Sequence, residues 1–235
     1  MTQSIGVIGG GAAGMMAAMT AKIANAGLAV TVFDKNPGLG TKVIISGGGR
    51  CNVTTGHTDI EEVLKKYPRG SKFLKNAMYT FSPSDTYDFF ENLGVPLKME
   101  KDMRVFPKSD DGKDVVKAFE KFFRKSGVEV KCRTGISTVK KIGEKFIVKT
   151  IAGTLFEFGK LIIATGGQAY RHTGSTGDGY AFAQSLGHTL TELAPSLNSF
   201  VLGEKWAGDL AGVSHTDVRM ESVLKDGKKV RYEGP

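Results

Sequence analysis

The sequence predicts an α/β fold built around a parallel β-sheet. Two observations lead to this prediction: a strand–helix–strand pattern at the N-terminus, and glycine-rich stretches that follow two separate buried strands. The chain has 235 residues, of which 40% are hydrophobic and 24% are charged. This composition is typical of a globular protein with a substantial core.

The first strand–helix–strand unit begins at Ser4. The run from Ser4 to Ile8 predicts a short buried strand, and the small residues from Ala12 to Ala24 predict a helix that ends near Gly27. A second strand follows over residues 29–33. Together these segments predict a βαβ unit.

The next segment is predicted to be a loop followed by a helix. Residues 38–55 are rich in glycine and are interpreted as loop. Ser84 is predicted to be the N-cap of a helix over residues 85–93, and Gly94 is placed to end that helix.

A further helix and a group of short strands come next. Asp111 is predicted to cap a helix with an apolar stripe, and Gly127 ends it. Residues 128–158 contain four short strand-like runs separated by turn signals, which predicts a β-meander. Residues 161–164 form another buried strand, and a later helix runs to about Leu186.

The glycines after the first strand form a G-x-G-x-x-G pattern made of Gly9, Gly11 and Gly14. The first glycine permits a tight turn, the second lets a diphosphate approach the backbone, and the third lets helix and strand pack closely. The helix start offers free N–H groups and a partial positive charge. Asp34 lies 20 residues after Gly14 and can accept hydrogen bonds from an adenosine ribose. The pattern predicts a bound dinucleotide, either NAD or FAD.

A second stretch decides between these two cofactors. Thr165, Gly166 and Gly167 end a predicted buried strand, and Gly177 and Asp178 begin a helix. In flavoproteins with two dinucleotide folds, such a strand lies beside the first βαβ unit, and the acid bonds the ribityl chain of FAD. Asp178 can accept a hydroxyl group there, although an ordinary N-cap is the alternative interpretation. The two stretches together favour FAD.

In the third stretch, ISGGGRCN over residues 45–52, the three glycines are followed by a cation, a thiol and an amide. Glycines let a flat ring come close, and a fixed cation stabilises the negative charge that a reduced flavin carries near N1. We therefore expect Gly49, Arg50, Cys51 and Asn52 near the flavin ring. The alternative is a tight turn with a surface arginine.

Composition and spacing argue against several other classes of protein. Cys51 and Cys132 are 81 residues apart, so a redox dithiol is not expected, and the four histidines have no ligand spacing, so we expect no metal. No signal peptide, disulfide framework or long apolar run is evident, which predicts a cytoplasmic protein that does not enter a membrane.

The net charge of +8 is unevenly distributed. Residues 98–149 carry 15 Lys or Arg against 8 Asp or Glu. Such a surface can attract nucleic acid, anionic lipid or an anionic cofactor. Because acids are interleaved with the bases, a solvated surface is the favoured interpretation, and nucleic acid is not an expected partner.

Four segments make the chain resemble the bacterial HI0933-like flavoproteins, also called the BaiN/RdsA or YhiN family of NAD(P)/FAD-dependent oxidoreductases. They are GGGAAGMMAA, ISGGGRCNVT, RVFP and ATGGQAYRHTGSTGDGYAFAQSLGH. The resemblance runs from about Ile5 to Pro195. It implies a Rossmann-like, glutathione-reductase-like domain with a three-layer ββα architecture and non-covalent FAD. In some members it also implies reduction of a conjugated C=C bond in bile-acid intermediates.

The resemblance also implies roles for single residues: Lys35 would flank the adenosine ribose, and Arg104 and Phe106 would border the active-site cavity. Candidates for catalysis are Arg50, Cys51, Asn52 and Arg104. No general acid is identified, although Tyr170, Arg171 and His172 follow the second glycine turn and could face the flavin. The full predicted cofactor set is Gly9, Gly11, Ala12, Ala13, Gly14, Asp34, Lys35, Gly49, Arg50, Cys51, Asn52, Thr165, Gly166, Gly167, Gly177 and Asp178.

The chain departs from the family at two residues and in length. Members usually have Glu where this chain has Asp34, and Gly where it has Met103. Members continue through a β-rich inserted domain and return to the FAD domain, and the resemblance leads us to expect that this sequence ends inside the insertion. We expect residues 1–195 to form the FAD/NAD(P)-binding domain and 196–235 to be part of the inserted domain, in a fragment or a shortened protein.

The leading hypothesis is a FAD-dependent oxidoreductase that moves hydride between NAD(P)H and a small organic substrate. One alternative is a truncated flavin-binding or nucleotide-binding module without turnover. A less favoured alternative is a flavoprotein that acts on RNA, which the basic residues of 98–149 suggest. Substrate and oligomeric state do not follow from the sequence.

Overall fold

A computed structural model describes residues 4–195, 203–204, 206–213, 215 and 217–234. The chain divides into two units, Met1–Leu190 and Thr191–Pro235. The functions that the sequence assigns to 1–195 and 196–235 stay predictions.

The first unit contains ten strands and seven helices in its described residues. In chain order they are β1 (Ser4–Ile8), α1 (Ala12–Ala24), β2 (Ala29–Phe33), α2 (Thr41–Ile45), β3 (Thr54–Thr55), α3 (Ile60–Lys65), α4 (Ser71–Thr80), α5 (Pro83–Asn92), β4 (Leu97–Met99), β5 (Arg104–Pro107), α6 (Lys113–Ser126), β6 (Glu129–Lys131), β7 (Ile136–Ile142), β8 (Lys145–Thr150), β9 (Leu155–Phe158), β10 (Lys160–Ile163) and α7 (Asp178–Ser185).

A parallel sheet with strand order β10–β1–β2–β6 forms the centre of this unit. Helix α1 connects β1 to β2, so the predicted βαβ unit is confirmed, and α1 packs Met15 and Met19 into the core. The strand predicted over residues 161–164 is β10 (Lys160–Ile163). It pairs with β1 in parallel, which brings the second glycine stretch next to the first βαβ unit. The fold is the Rossmann-type α/β arrangement that the sequence predicts.

The predicted β-meander is one strand too long. Strand β6 does not join it, because Glu129 and Val130 pair with Thr31 and Val32 of β2 and extend the parallel sheet. The meander is the antiparallel sheet β7–β8–β9. A short alternating run fits either sheet equally well, and only the free edge of β2 decides which one it joins.

Helix starts also differ from the prediction. Helix α5 begins at Pro83 with Ser82 as N-cap, where Ser82 and Asp85 form a reciprocal capping box, so the predicted cap at Ser84 is wrong. Helix α6 has Gly112 as N-cap, although the Asp111 carboxylate accepts the Lys113 N–H. Gly127 ends α6 with φ +73°, as predicted.

The stretch interpreted as loop, residues 38–55, contains helix α2, a 3₁₀ turn over Ser46–Gly49 and strand β3. Strand β3 lies in a small antiparallel sheet with order β3–β5–β4. Helix α2 is only five residues long, too short to show a helical period in the sequence. It packs against α6, where the side chain of Val116 leaves no room for a Cβ at Gly40.

In the described part of the second unit, α8 (Trp206–Asp209) precedes β11 (Val218–Val223) and β12 (Lys229–Gly234). The two strands form an antiparallel hairpin. None of the described helices is both long enough and apolar enough to cross a bilayer.

Candidate functional site

A crevice of about 410 Å³ opens at the carboxyl ends of β1, β2 and β10. Its walls include Gly9 after β1, Asp34 after β2 and Thr165 after β10. In open α/β sheets this edge is where ligands bind, because loops and helix starts converge there. We therefore take the crevice as the candidate site.

The three glycines of the β1–α1 turn lack side chains for different reasons. Gly9 has φ +104°, and a Cβ there would overlap the carbonyl of Ala164. A Cβ at Gly14 would overlap the Gly9 carbonyl oxygen. Gly11 has an ordinary φ of −77°, and a Cβ there would meet no atom within 4 Å. The protein itself does not require glycine at position 11, so the open space it leaves in the crevice fits a ligand.

The start of helix α1 has the features that favour an anion at a helix N-terminus. No side chain caps it, and its first turn has no acidic residue. Ala12 and Ala13 line the crevice, and their N–H groups belong to the first turn, where helical partners are missing. A helix of 13 residues presents partial positive charge at such an end.

Asp34 is fixed by backbone donors. Its Oδ2 accepts the Gly10 N–H and its Oδ1 accepts the Asn36 N–H, both at 2.8 Å. Each carboxylate oxygen can accept a further hydrogen bond. The carboxylate therefore remains able to bind hydroxyl groups in the crevice.

Lys35 and Asp178 form an ion pair across the crevice, with Nζ and Oδ2 2.7 Å apart. Thr176 joins them by donating its hydroxyl to Asp178 Oδ1 at 2.7 Å and accepting from Lys35. Desolvation raises the pKa of Asp178, but the hydrogen bonds from Lys35 and Thr176 outweigh it and leave the pKa below its ordinary value. Asp178 is therefore an anion at neutral pH.

Two side chains that the sequence did not single out, Lys42 and Asn36, form hydrogen bonds to the loop over residues 166–177, which is part of the crevice wall. Lys42 Nζ donates to Ser175 Oγ at 2.8 Å and to the Ala169 carbonyl at 3.0 Å. Asn36 Nδ2 donates to the Thr173 carbonyl at 3.0 Å. The glycines that flank α2 were a signal for a shaped turn, but nothing in the sequence indicates which distant loop Lys42 contacts.

Of the third glycine stretch, all of which the structure describes, Ser46 alone lines this crevice. The Arg50 guanidinium lies 3.8 Å from the centre of the Phe106 ring, and its Nη1 is 2.7 Å from Glu100 and 3.6 Å from Asp110. The hydrogen bond that Arg50 donates to Glu100 raises the pKa of Arg50, although desolvation opposes it. The charge of Arg50 is thus paired within the protein, and its place near a flavin stays a prediction.

Cys51 is turned into the protein, whereas Asn52 is exposed and its amide contacts nearby backbone. Cys51 is buried in a left-handed backbone conformation with φ +61°, and burial raises the pKa of its thiol. In its favoured orientation, the Asn52 amide donates to the carbonyls of Thr54 and Val105. No cluster of three or more metal-ligating side chains occurs in the described residues.

The other residues that the sequence placed near the active site do not line the crevice. Arg104 is exposed and pairs with Asp102 at 2.6 Å, and Phe106 is fully buried. Tyr170 and His172 are exposed on the loop that carries the Lys42 contacts.

The predicted cofactor set is thus divided into two groups. The crevice brings together Gly9, Gly11, Ala12, Ala13, Asp34, Lys35, Thr165, Gly166 and Asp178. The residues that do not line it are Gly14, Gly49, Arg50, Cys51, Asn52, Gly167 and Gly177.

Comparison with known proteins gives a family and two curated relatives. The family described as "HI0933-like protein Rossmann domain" matches residues 3–230. A 3-dehydro-bile acid delta(4,6)-reductase of Clostridium scindens is 31% identical over 229 residues, which are 97% of this chain and 54% of that protein. A ribosomal RNA dihydrouridine synthase of Haemophilus influenzae is 29% identical over 214 residues, 88% of this chain and 52% of that protein. The chain spans about half the length of these relatives.

Among solved structures, the open conformation of a flavocytochrome c3 fumarate reductase superposes with a TM-score of 0.60 and 22% identity. The match covers 80% of this chain and 41% of that chain. At this identity the likeness establishes the fold alone.

Proposed function

We propose, from the premise that this chain belongs to the HI0933-like family, that it binds FAD and acts as an oxidoreductase on a carbon–carbon double bond. The observation that carries the proposal is the shared crevice of Gly11, Asp34 and Asp178. These three residues lie on separate elements, and the sequence links each of them to a different part of one dinucleotide.

The residues of the crevice fit FAD. The open space at Gly11 and the uncapped start of α1 would hold the diphosphate, because both present N–H groups to an anion. Asp34 would accept the hydroxyls of the adenosine ribose, and Asp178 those of the ribityl chain. Asp178 would then exchange part of its contact with Lys35 for a hydroxyl group.

When bound, FAD supplies two-electron hydride chemistry that no side chain can supply. The chain contributes binding, orientation and exclusion of water. Phe33 and Phe182 are buried, apolar parts of the lining and would disfavour water on that side of the crevice. Asp34 and Asp178 fix the cofactor at two points, which sets its orientation.

The substrate class follows from the two relatives. Their names, a delta(4,6)-reductase and a dihydrouridine synthase, both describe saturation of a carbon–carbon double bond. We therefore propose a conjugated C=C bond as the acceptor and NAD(P)H as the hydride donor. A small organic substrate remains the first candidate because the bile-acid reductase covers more of this chain at higher identity.

The visible absorption spectrum of the purified chain tests this proposal. We expect a flavin spectrum as purified or after addition of FAD, and bleaching when NADH or NADPH is added without oxygen. A chain that stays colourless in excess FAD would contradict the cofactor. Bound flavin that neither nicotinamide reduces would favour a binding module without turnover.

A second candidate is a flavoprotein that acts on RNA, favoured by the hairpin of α3 and α4. Phe73 on this hairpin is 87% exposed, and Lys66, Arg69 and Lys72 have no ion-pair partner among the described residues. Exposed aromatic rings stack on bases and free cations contact phosphates. The dihydrouridine synthase relative agrees with this candidate.

RNA binding separates the two candidates. If the hairpin contacts RNA, single-stranded RNA should bind with an affinity that falls steeply with salt, and Lys72→Glu should weaken it. Lys160→Glu is the matched control, because Lys160 is an exposed lysine at the start of β10, outside both the hairpin and residues 98–149. Binding that is absent, or equally weakened by both variants, leaves the small substrate as the candidate.

A further inference from the structure

We infer that Lys42 is the side chain that neutralises the diphosphate of the bound dinucleotide. The inference rests on the proposed FAD site and adds to it a residue that the sequence did not single out. Lys42 lies on α2, lines the crevice and is half-buried.

The charges of the lining residues are the first step. The described lining contains two cations, Lys35 and Lys42, and two carboxylates, Asp34 and Asp178. Lys35 is held by Asp178 at 2.7 Å, and Asp34 is held by two backbone N–H groups. Within the described chain, Lys42 is therefore the lining cation without a carboxylate partner.

The contacts of Lys42 leave its charge available. Both of its acceptors, Ser175 Oγ and the Ala169 carbonyl, are neutral. An ammonium group has three N–H donors, so one remains after these two bonds. The two contacts hold the ammonium at the crevice wall and reduce the entropy it would lose on binding an anion.

A diphosphate in this crevice needs such a cation. It carries two negative charges, whereas the start of α1 offers the equivalent of about half a positive charge. An anion taken from water into a partly buried crevice is unfavourable unless it is paired. Arg50 does not fill this role, because it lies outside the lining and is already paired with Glu100 and Asp110.

Titration of purified protein with FAD and with ADP tests this inference. ADP carries the diphosphate and the adenosine but no flavin. We expect Lys42→Met to raise the Kd of both ligands by the same factor, roughly 10- to 100-fold, as for loss of one charge-assisted hydrogen bond. The factor should shrink at high salt because ions screen the lost charge.

Two matched variants accompany the test. Lys42→Arg keeps the charge and should keep most of the affinity, whereas Lys140→Met removes an exposed lysine on β7 and should change nothing. Circular dichroism establishes that each variant is folded. If Lys42→Met does not fold, the test uses Lys42→Gln, which is similar in size and also uncharged.

The other outcomes overturn the inference in recognisable ways. A loss for FAD without a loss for ADP would place Lys42 at the flavin ring. A loss for both that is independent of salt would mean that Lys42 acts only by tethering the loop over residues 166–177. If the wild-type chain binds neither FAD nor ADP, the proposed function fails and the inference fails with it.

Discussion

At the scale of single residues, the glycine-rich turn contains two positions where the fold requires glycine and one, Gly11, where it does not. Gly9 and Gly14 lack side chains because backbone atoms of Ala164 and Gly9 occupy the space. Gly11 has no such neighbour and no unusual backbone angle. Stability and ligand binding should therefore respond differently to the same substitution at neighbouring positions.

We expect Gly11→Ala to change the free energy of unfolding by less than about 0.5 kcal/mol and to weaken FAD binding strongly. The added methyl group meets no protein atom but takes up space in the crevice. Gly14→Ala should destabilise the chain by about 1–3 kcal/mol, because its methyl group overlaps the Gly9 carbonyl. Urea denaturation and FAD titration measure the two effects. Equal loss of stability in both variants would contradict the ligand interpretation.

Met103 is another residue whose backbone is informative. It has φ +64°, a left-handed conformation that is strained for a residue with a Cβ. The family resemblance predicts glycine at this position. Met103→Gly should therefore stabilise the chain, by about 1 kcal/mol or less, since the relief of strain exceeds the added flexibility of the unfolded chain.

Thermal or urea denaturation measures this gain. Met99→Gly is the control, because Met99 lies in β4 and its φ is not positive. Glycine within a strand is destabilising, so the two substitutions should have opposite signs. Destabilisation by both would argue against strain at Met103.

At the scale of elements, the start of helix α5 depends on which serine caps it. Ser82 accepts the Asp85 N–H, and Asp85 in turn accepts the Ser82 N–H at 2.8 Å. The sequence prediction chose Ser84, which stands before the same acidic residue. Proline suits the first helical position, so Pro83 indicates that the helix begins two residues earlier than predicted.

Ser82→Ala should therefore lower the free energy of unfolding by about 1 kcal/mol through loss of the cap. Ser84→Ala should have little effect, because Ser84 is exposed within the first turn. Urea denaturation of the two variants distinguishes them. The reverse order of effects would restore the predicted cap.

Strand β6 shows why the pairing partner of a β-strand is hard to predict from sequence. The run at β6 has the alternating pattern of any short strand. It joins the parallel sheet because it pairs with β2, about a hundred residues earlier in the chain. The hydrogen bond from Thr31 to Glu129 is one contact between these two strands. Local sequence contains no information about which sheet edge remains free.

At the scale of the whole molecule, a ligand that binds only the folded chain must stabilise it. At a free FAD concentration of 100 times the Kd, the gain is about 2.7 kcal/mol by mass action. We expect FAD to raise the urea midpoint followed by far-ultraviolet circular dichroism. Gly11→Ala should show no such rise at the same FAD concentration. An equal rise in both proteins would indicate binding outside the crevice.

The sequence by itself determined the βαβ unit, the glycine-rich turn at Gly9 to Gly14 and the family, because these depend on residues that are close along the chain. It also identified Asp34, Lys35 and Asp178, which line the crevice. Only the tertiary structure decided that β6 extends the parallel sheet, that Arg50 is paired with Glu100 and that Lys42 reaches Ser175. Backbone preference and hydrophobic period act between near neighbours, whereas the partner of a long charged side chain is set by how distant segments pack.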